Sequence, residues 1–115
     1  MAISKWIMIQ QITVTDLKAR LDTGEAIHLL DVRNDDERAY CRIEPSQFIP
    51  LHELILRVDE VEPSPGTPVV VYCHHGVRSI RGAVVLMQAG MENVFSLAGG
   101  IEAWSVQVDP GVGRY

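Results

Sequence analysis

An α/β domain with a largely parallel sheet is what this 115-residue sequence predicts. Three observations carry that prediction. Apolar runs of strand length alternate along the chain with stretches of helical period. Glycine stands just past two of the helical stretches, where a helix commonly ends. The run Val69–Tyr72 is unbroken β-branched and aromatic sequence, the pattern of a strand buried on both faces. The order of strands across the sheet does not follow from such a pattern.

The elements can be justified in turn. Residues 8–14 read as a first strand, placed at an edge by Gln10 and Gln11. Thr15 resembles an N-cap, and residues 16–21 form a short helix with Leu17 and Leu21 on one face, ended by Gly24. Residues 26–33 make a strand whose apolar stretch from Ile27 to Leu30 suggests a central place. His28 within it reads as a packed or edge-facing histidine rather than a ligand. Asn34 or Asp35 caps a helix over residues 36–40. Residues 41–46 are irregular, with Pro45 pinning the backbone, and Phe48 and Ile49 form a short strand stopped by Pro50.

A helix over residues 52–58 follows, with Leu51, Leu54, Ile55 and Val58 as its apolar stripe and His52 in an exposed first turn. The proline-rich connector 63–68 delivers the chain to Val69. Beyond the loop at Cys73, a helix runs from Ser79 to Gly90. Residues 93–97 form a last strand, Gly99 and Gly100 turn the chain tightly, and residues 101–104 start a final helical turn. Residues 106–115 are expected to be a loosely packed tail of one domain spanning residues 1–115.

Composition narrows the function classes. With 47% hydrophobic and 22% charged residues the chain reads as an ordinary globular domain with a single core. Its net charge of −5, without a basic stripe, argues against non-specific nucleic-acid binding. Two cysteines, Cys41 and Cys73, make neither a disulfide framework nor a CxxC pair, so a reducing, cytoplasmic setting is expected. The apolar residues 3–10 are too short for a membrane span and lack a small-residue cleavage site, so they read as the approach to a strand.

The chemistry-bearing stretch begins at Cys73. Strand, short loop with Gly76, then helix puts this thiol at the carboxyl end of a strand, where open α/β sheets bind ligands. Loop N–H groups beside a helix N-terminus favour an anion there. Arg78 adds a cation, and a thiolate is the nucleophilic form of cysteine. A buried, inert cysteine closing a strand is the plainer reading, and it would suffice for a cysteine without this loop.

Four segments together resemble one family, the single-domain rhodaneses, which are sulfurtransferases. They are Leu30 to Arg33 followed by Asp36 and Glu37; Ile49 to Leu51; Val71 to Ser79; and Leu97 to Trp104. The resemblance implies a central five-stranded, mostly parallel sheet flanked by helices on both faces, with a loop curling around the cysteine. It makes Cys73 the persulfide-forming residue and His74, His75, Gly76, Val77 and Arg78 the substrate-binding loop. Asp31, Arg33 and Ser79 become supporting residues, Asp31 by accepting hydrogen bonds from loop backbone. Gly99, Gly100 and Trp104 match a turn and packing motif. One departure is Arg42-Ile-Glu-Pro-Ser46 where members commonly have His-Ile-Pro-Gly-Ala. Proline at the glycine position fixes φ near about −65°, and Arg42 lies either at the mouth of the site or in solvent.

The implied chemistry is covalent sulfur transfer in two halves. A small donor, thiosulfate or a persulfide, loads Cys73, and a thiol, cyanide or a protein acceptor unloads it. It requires no metal and no organic cofactor, and no nucleic-acid or membrane partner is expected. A sulfur-delivery or interaction module is the main alternative. A cysteine-loop phosphatase or arsenate reductase is less favoured, because four residues separate Cys73 from Arg78 where those enzymes typically have five.

Overall fold

A computed structural model describes residues 9–115, so the strand approach expected over residues 3–10 lies mostly outside the described residues. Five strands form one parallel sheet: β1 (Gln10–Ile12), β2 (His28–Asp31), β3 (Gln47–Phe48), β4 (Val69–Tyr72) and β5 (Val94–Leu97), in the order β1-β5-β4-β2-β3. Five α-helices connect or cover them: α1 (Val14–Asp22), α2 (Asp35–Tyr40), α3 (Leu51–Arg57), α4 (Arg78–Gln88) and α5 (Gly100–Gln107). β4 lies at the centre between β2 and β5, and β1 is an edge strand, as its glutamines suggested.

Alternation along β4 divides the interior into two cores. Val70 and Tyr72 face one side, with Leu17 of α1 and Ile101 and Trp104 of α5. Val69, Val71 and Cys73 face the other, with Leu54 of α3 and Ala83 and Leu86 of α4. A period of two on a sheet covered on both faces requires apolar residues at every β4 position, which explains the unbroken run. Cys73 is therefore held at the strand end, on the α4 side.

Three local expectations are corrected. Thr13, not Thr15, caps α1: its backbone is extended and its hydroxyl accepts the Asp16 N–H at 3.1 Å, so the strand stops at Ile12 and Val14 is helical. On α3 the buried face centres on Leu54, while Ile55 is 66% exposed and falls outside the apolar stripe. The tail is not loose. α5 continues to Gln107, Val108 and Val112 pack against the α1/α5 core, and Asp109 caps a 3-10 turn over Pro110–Val112. His28 is half-buried and hydrogen-bonds Gln47 at 2.7 Å, and His52 is exposed. Among the described residues, no helix is long and apolar enough to cross a membrane.

Candidate active site

Cys73 sits one residue past β4 with 1% of its surface exposed. Its sulfur accepts the backbone N–H of Gly76 at 3.1 Å and of Ser79 at 3.3 Å, and lies 3.5 Å from the Ser79 hydroxyl. The loop turns back on itself because Gly76 takes φ +102°, a conformation open to glycine at little steric cost. Ser79 belongs to the first turn of α4, whose N–H groups lack helical partners and so are free to face the sulfur. A buried hydrogen bond of 2.7 Å ties the Ser79 hydroxyl to Ser96 of β5. Nothing local in the sequence marked Ser96.

The outer half of the loop is held by α5. The carbonyl of Cys73 accepts the Ile101 N–H at 2.9 Å, and that of His74 accepts the Glu102 N–H at 3.0 Å. Gly100 makes this approach possible: a Cβ there would run into the His74 carbonyl oxygen and lie 2.5 Å from that of Cys73. Two helix N-termini thus converge on one loop, α4 on the sulfur and α5 on the carbonyls beside it.

The predicted loop residues His74, His75, Gly76, Val77 and Arg78 are brought together, in unequal roles. Val77 is 68% exposed. The His74 ring stacks between His75 and Tyr115, with centroids 3.9 Å away on each side. Burial, then the neighbouring His75, holds its pKa below the usual imidazole value, so His74 is a weak source of positive potential. Arg78 does not hydrogen-bond the sulfur. Its two terminal nitrogens bond both carboxylate oxygens of Glu37, at 2.7 and 2.9 Å. Arg78 draws Glu37 down to about 2, helped by the Asn34 N–H and the Tyr115 phenol. Glu37 could be suspected from its place three residues after the cap Asn34, whose N–H it accepts at 3.0 Å.

Asp31 and Arg33 form a fully buried pair. The Asp31 carboxylate accepts the Arg33 backbone N–H at 3.0 Å and the guanidinium at 2.8 and 2.9 Å. The N–H groups on Asp31 are thus those of Arg33, with Arg38 adding a bond at 3.3 Å, and not those of the cysteine loop. Arg33 lies just two residues along the chain, so its backbone N–H and guanidinium both reach the Asp31 carboxylate and occupy it in place of the cysteine loop. Arg33 also donates to the carbonyl of Cys41 and, at 3.0 Å, to the Tyr115 hydroxyl. That hydroxyl in turn donates to Glu37 at 2.7 Å. Arg42 pairs with exposed Glu44, which leaves it a surface charge.

Residues 13–107 match the family model described as a rhodanese-like domain. A sulfurtransferase of Allochromatium vinosum is 35% identical over 98 residues, covering 85% of this chain and 90% of that protein. A probable adenylyltransferase/sulfurtransferase MoeZ of Mycobacterium tuberculosis is 34% identical over 105 residues; the match covers 90% of this chain but 26% of that larger protein. A rhodanese-related protein from Thermoplasma volcanium has the same fold, with a TM-score of 0.74 and 30% identity over 90% of this chain and 95% of that one.

Proposed function

Because the chain belongs to the rhodanese-like domain family, we propose that it is a sulfurtransferase acting through a Cys73 persulfide. In the first half-reaction the Cys73 thiolate attacks the outer sulfur of thiosulfate or of a persulfide. A new S–S bond forms at Cys73, the donor's S–S bond breaks, and sulfite or a thiolate leaves with the bonding pair. In the second, a thiol or cyanide attacks the terminal sulfur and returns the Cys73 thiolate. Ping-pong kinetics follow from the covalent intermediate.

The observation that carries this reading is the pair of N–H groups, from Gly76 and Ser79, aimed at the Cys73 sulfur. Fixed donors of this kind stabilise negative charge on sulfur without reorganising during the reaction. The four residues between Cys73 and Arg78 make a tight loop, suited to one sulfur atom more than to a tetrahedral oxyanion. Cys41 lacks such a setting: it is buried, follows α2, and lies 3.9 Å from a guanidinium nitrogen of Arg33.

Intact-mass measurement after thiosulfate or persulfide treatment should show the gain of one sulfur, and peptide mapping should place it on Cys73. Cys73→Ala should abolish turnover, while Cys41→Ala should keep most of it. A persulfide on Cys41, or undiminished turnover in Cys73→Ala, would overturn the assignment.

A further inference from the structure

Arg78 is the cation that closes the loop after Cys73: it opens α4 immediately before Ser79, whose N–H faces the Cys73 sulfur. In this fold the cation is already engaged. Both terminal nitrogens of Arg78 are bound by Glu37, which is also anchored by the Asn34 N–H and the Tyr115 hydroxyl. The Glu37 side chain is 13% exposed, so its charge is only partly screened by water. An anion entering the loop therefore meets a neutral pair in place of a free guanidinium.

We propose, on the premise that Cys73 is the sulfur carrier, that Glu37 sets the donor preference. By neutralising Arg78 it disfavours thiosulfate and leaves the site suited to a protonated small-molecule persulfide. Attack on thiosulfate joins the Cys73 sulfur to the outer sulfur, breaks the S–S bond and expels sulfite with the bonding pair. Thiolate and dianion then bring three negative charges together, a burden that a free cation would relieve. Attack on a protonated persulfide, RS–SH, forms the same bond at its terminal sulfur and expels RS⁻. The proton stays on the new Cys73 persulfide, and one negative charge is present throughout. Gly76 and Ser79 N–H groups suffice for the second reaction, whereas the first calls for the arginine that Glu37 occupies.

The test is the rate of sulfur gain on Cys73, followed by intact mass, with sodium thiosulfate and with cysteine persulfide. The wild type should load from the persulfide faster. Glu37→Gln, whose amide oxygen can still accept the Asn34 N–H while its NH2 replaces the oxygen that took the Tyr115 hydroxyl, should raise the thiosulfate rate about tenfold at low ionic strength. That factor corresponds to about 1.4 kcal/mol, and the gain should shrink in about 1 M salt. The persulfide rate should stay within about twofold, which also reports that the loop is intact. Arg78→Gln leaves Glu37 unpaired and should shift the donor ratio the opposite way. A donor ratio unchanged in both variants, or rates that fall in parallel for both donors, would overturn the role of Glu37. Failure of either donor to load Cys73 in the wild type would instead overturn the sulfur-carrier reading on which it rests.

Discussion

Glu37 does three jobs with one carboxylate, and its acid-base behaviour exposes them. It accepts an N–H at the start of α2, pairs with Arg78 and receives the Tyr115 phenol. All three favour the charged form, which is why it titrates at about 2 against an ordinary 4.5. A carboxylate with a depressed pKa stabilises the fold above its unfolded value and loses that contribution as pH falls through the folded one. The wild type should therefore lose stability between about pH 4.5 and 2, by on the order of 2 kcal/mol from this group. Glu37→Gln should lack that component. Chemical denaturation of both proteins across this range checks it, and parallel pH dependences would refute it. Asp31 differs in setting, its carboxylate being held in a fully buried pair with Arg33. There, removing Asp31 leaves the Arg33 guanidinium an uncompensated buried charge, whereas removing Arg33 still leaves Asp31 its bond from Arg38.

The loop after β4 is held by the N-termini of two helices. α4 directs the Ser79 N–H at the sulfur, and α5 binds the carbonyls of Cys73 and His74. Those carbonyls point outward to α5, so the Gly76 N–H can point inward. Gly100 sits at the tightest approach, at φ +60° and against the loop backbone. Gly100→Ala should push α5 off the loop, costing about 2–4 kcal/mol through strain and lost hydrogen bonds. It should also slow sulfur loading at least tenfold, because the N–H groups facing the sulfur shift with the loop. Thermal melts and loading rates measure the two effects. A variant with wild-type loading would show that α5 is a bystander to the loop's geometry.

Across the molecule, the end of the described chain returns to the face that carries the Cys73 loop. Tyr115 stacks on His74, receives a hydrogen bond from Arg33 and gives one to Glu37, joining segments 82 and 78 residues apart in sequence. The aromatic contact and the paired hydroxyl together explain why the tail is ordered despite its glycines and proline. Tyr115→Ala should lower stability by about 1–2 kcal/mol. It should also uncover the His74 ring, whose pKa is depressed mainly by burial, and so move it up toward 6.5. Histidine proton shifts against pH give the midpoint directly. An unmoved His74 midpoint would mean that Tyr115 does not shield the ring.

The parts legible in the sequence are those with a local physical cause. An apolar run at Val69–Tyr72, a glycine in a short loop and a helical period after it locate Cys73 at a strand end, since each depends on neighbours within one or two turns. Helix stops at Gly24 and Gly90 are legible for the same reason. Strand order was not: every β-branched run fits a two-faced parallel sheet equally well, and the position of β4 between β2 and β5 depends on how the connections pack. Nor could local pattern show that Arg78 would turn to Glu37, 41 residues away, or that Ser96 and Tyr115 would meet the site. Charged and hydroxyl groups can satisfy many partners in an unfolded chain. Which partner each one takes was settled when the sheet and its helices brought distant segments within hydrogen-bond reach.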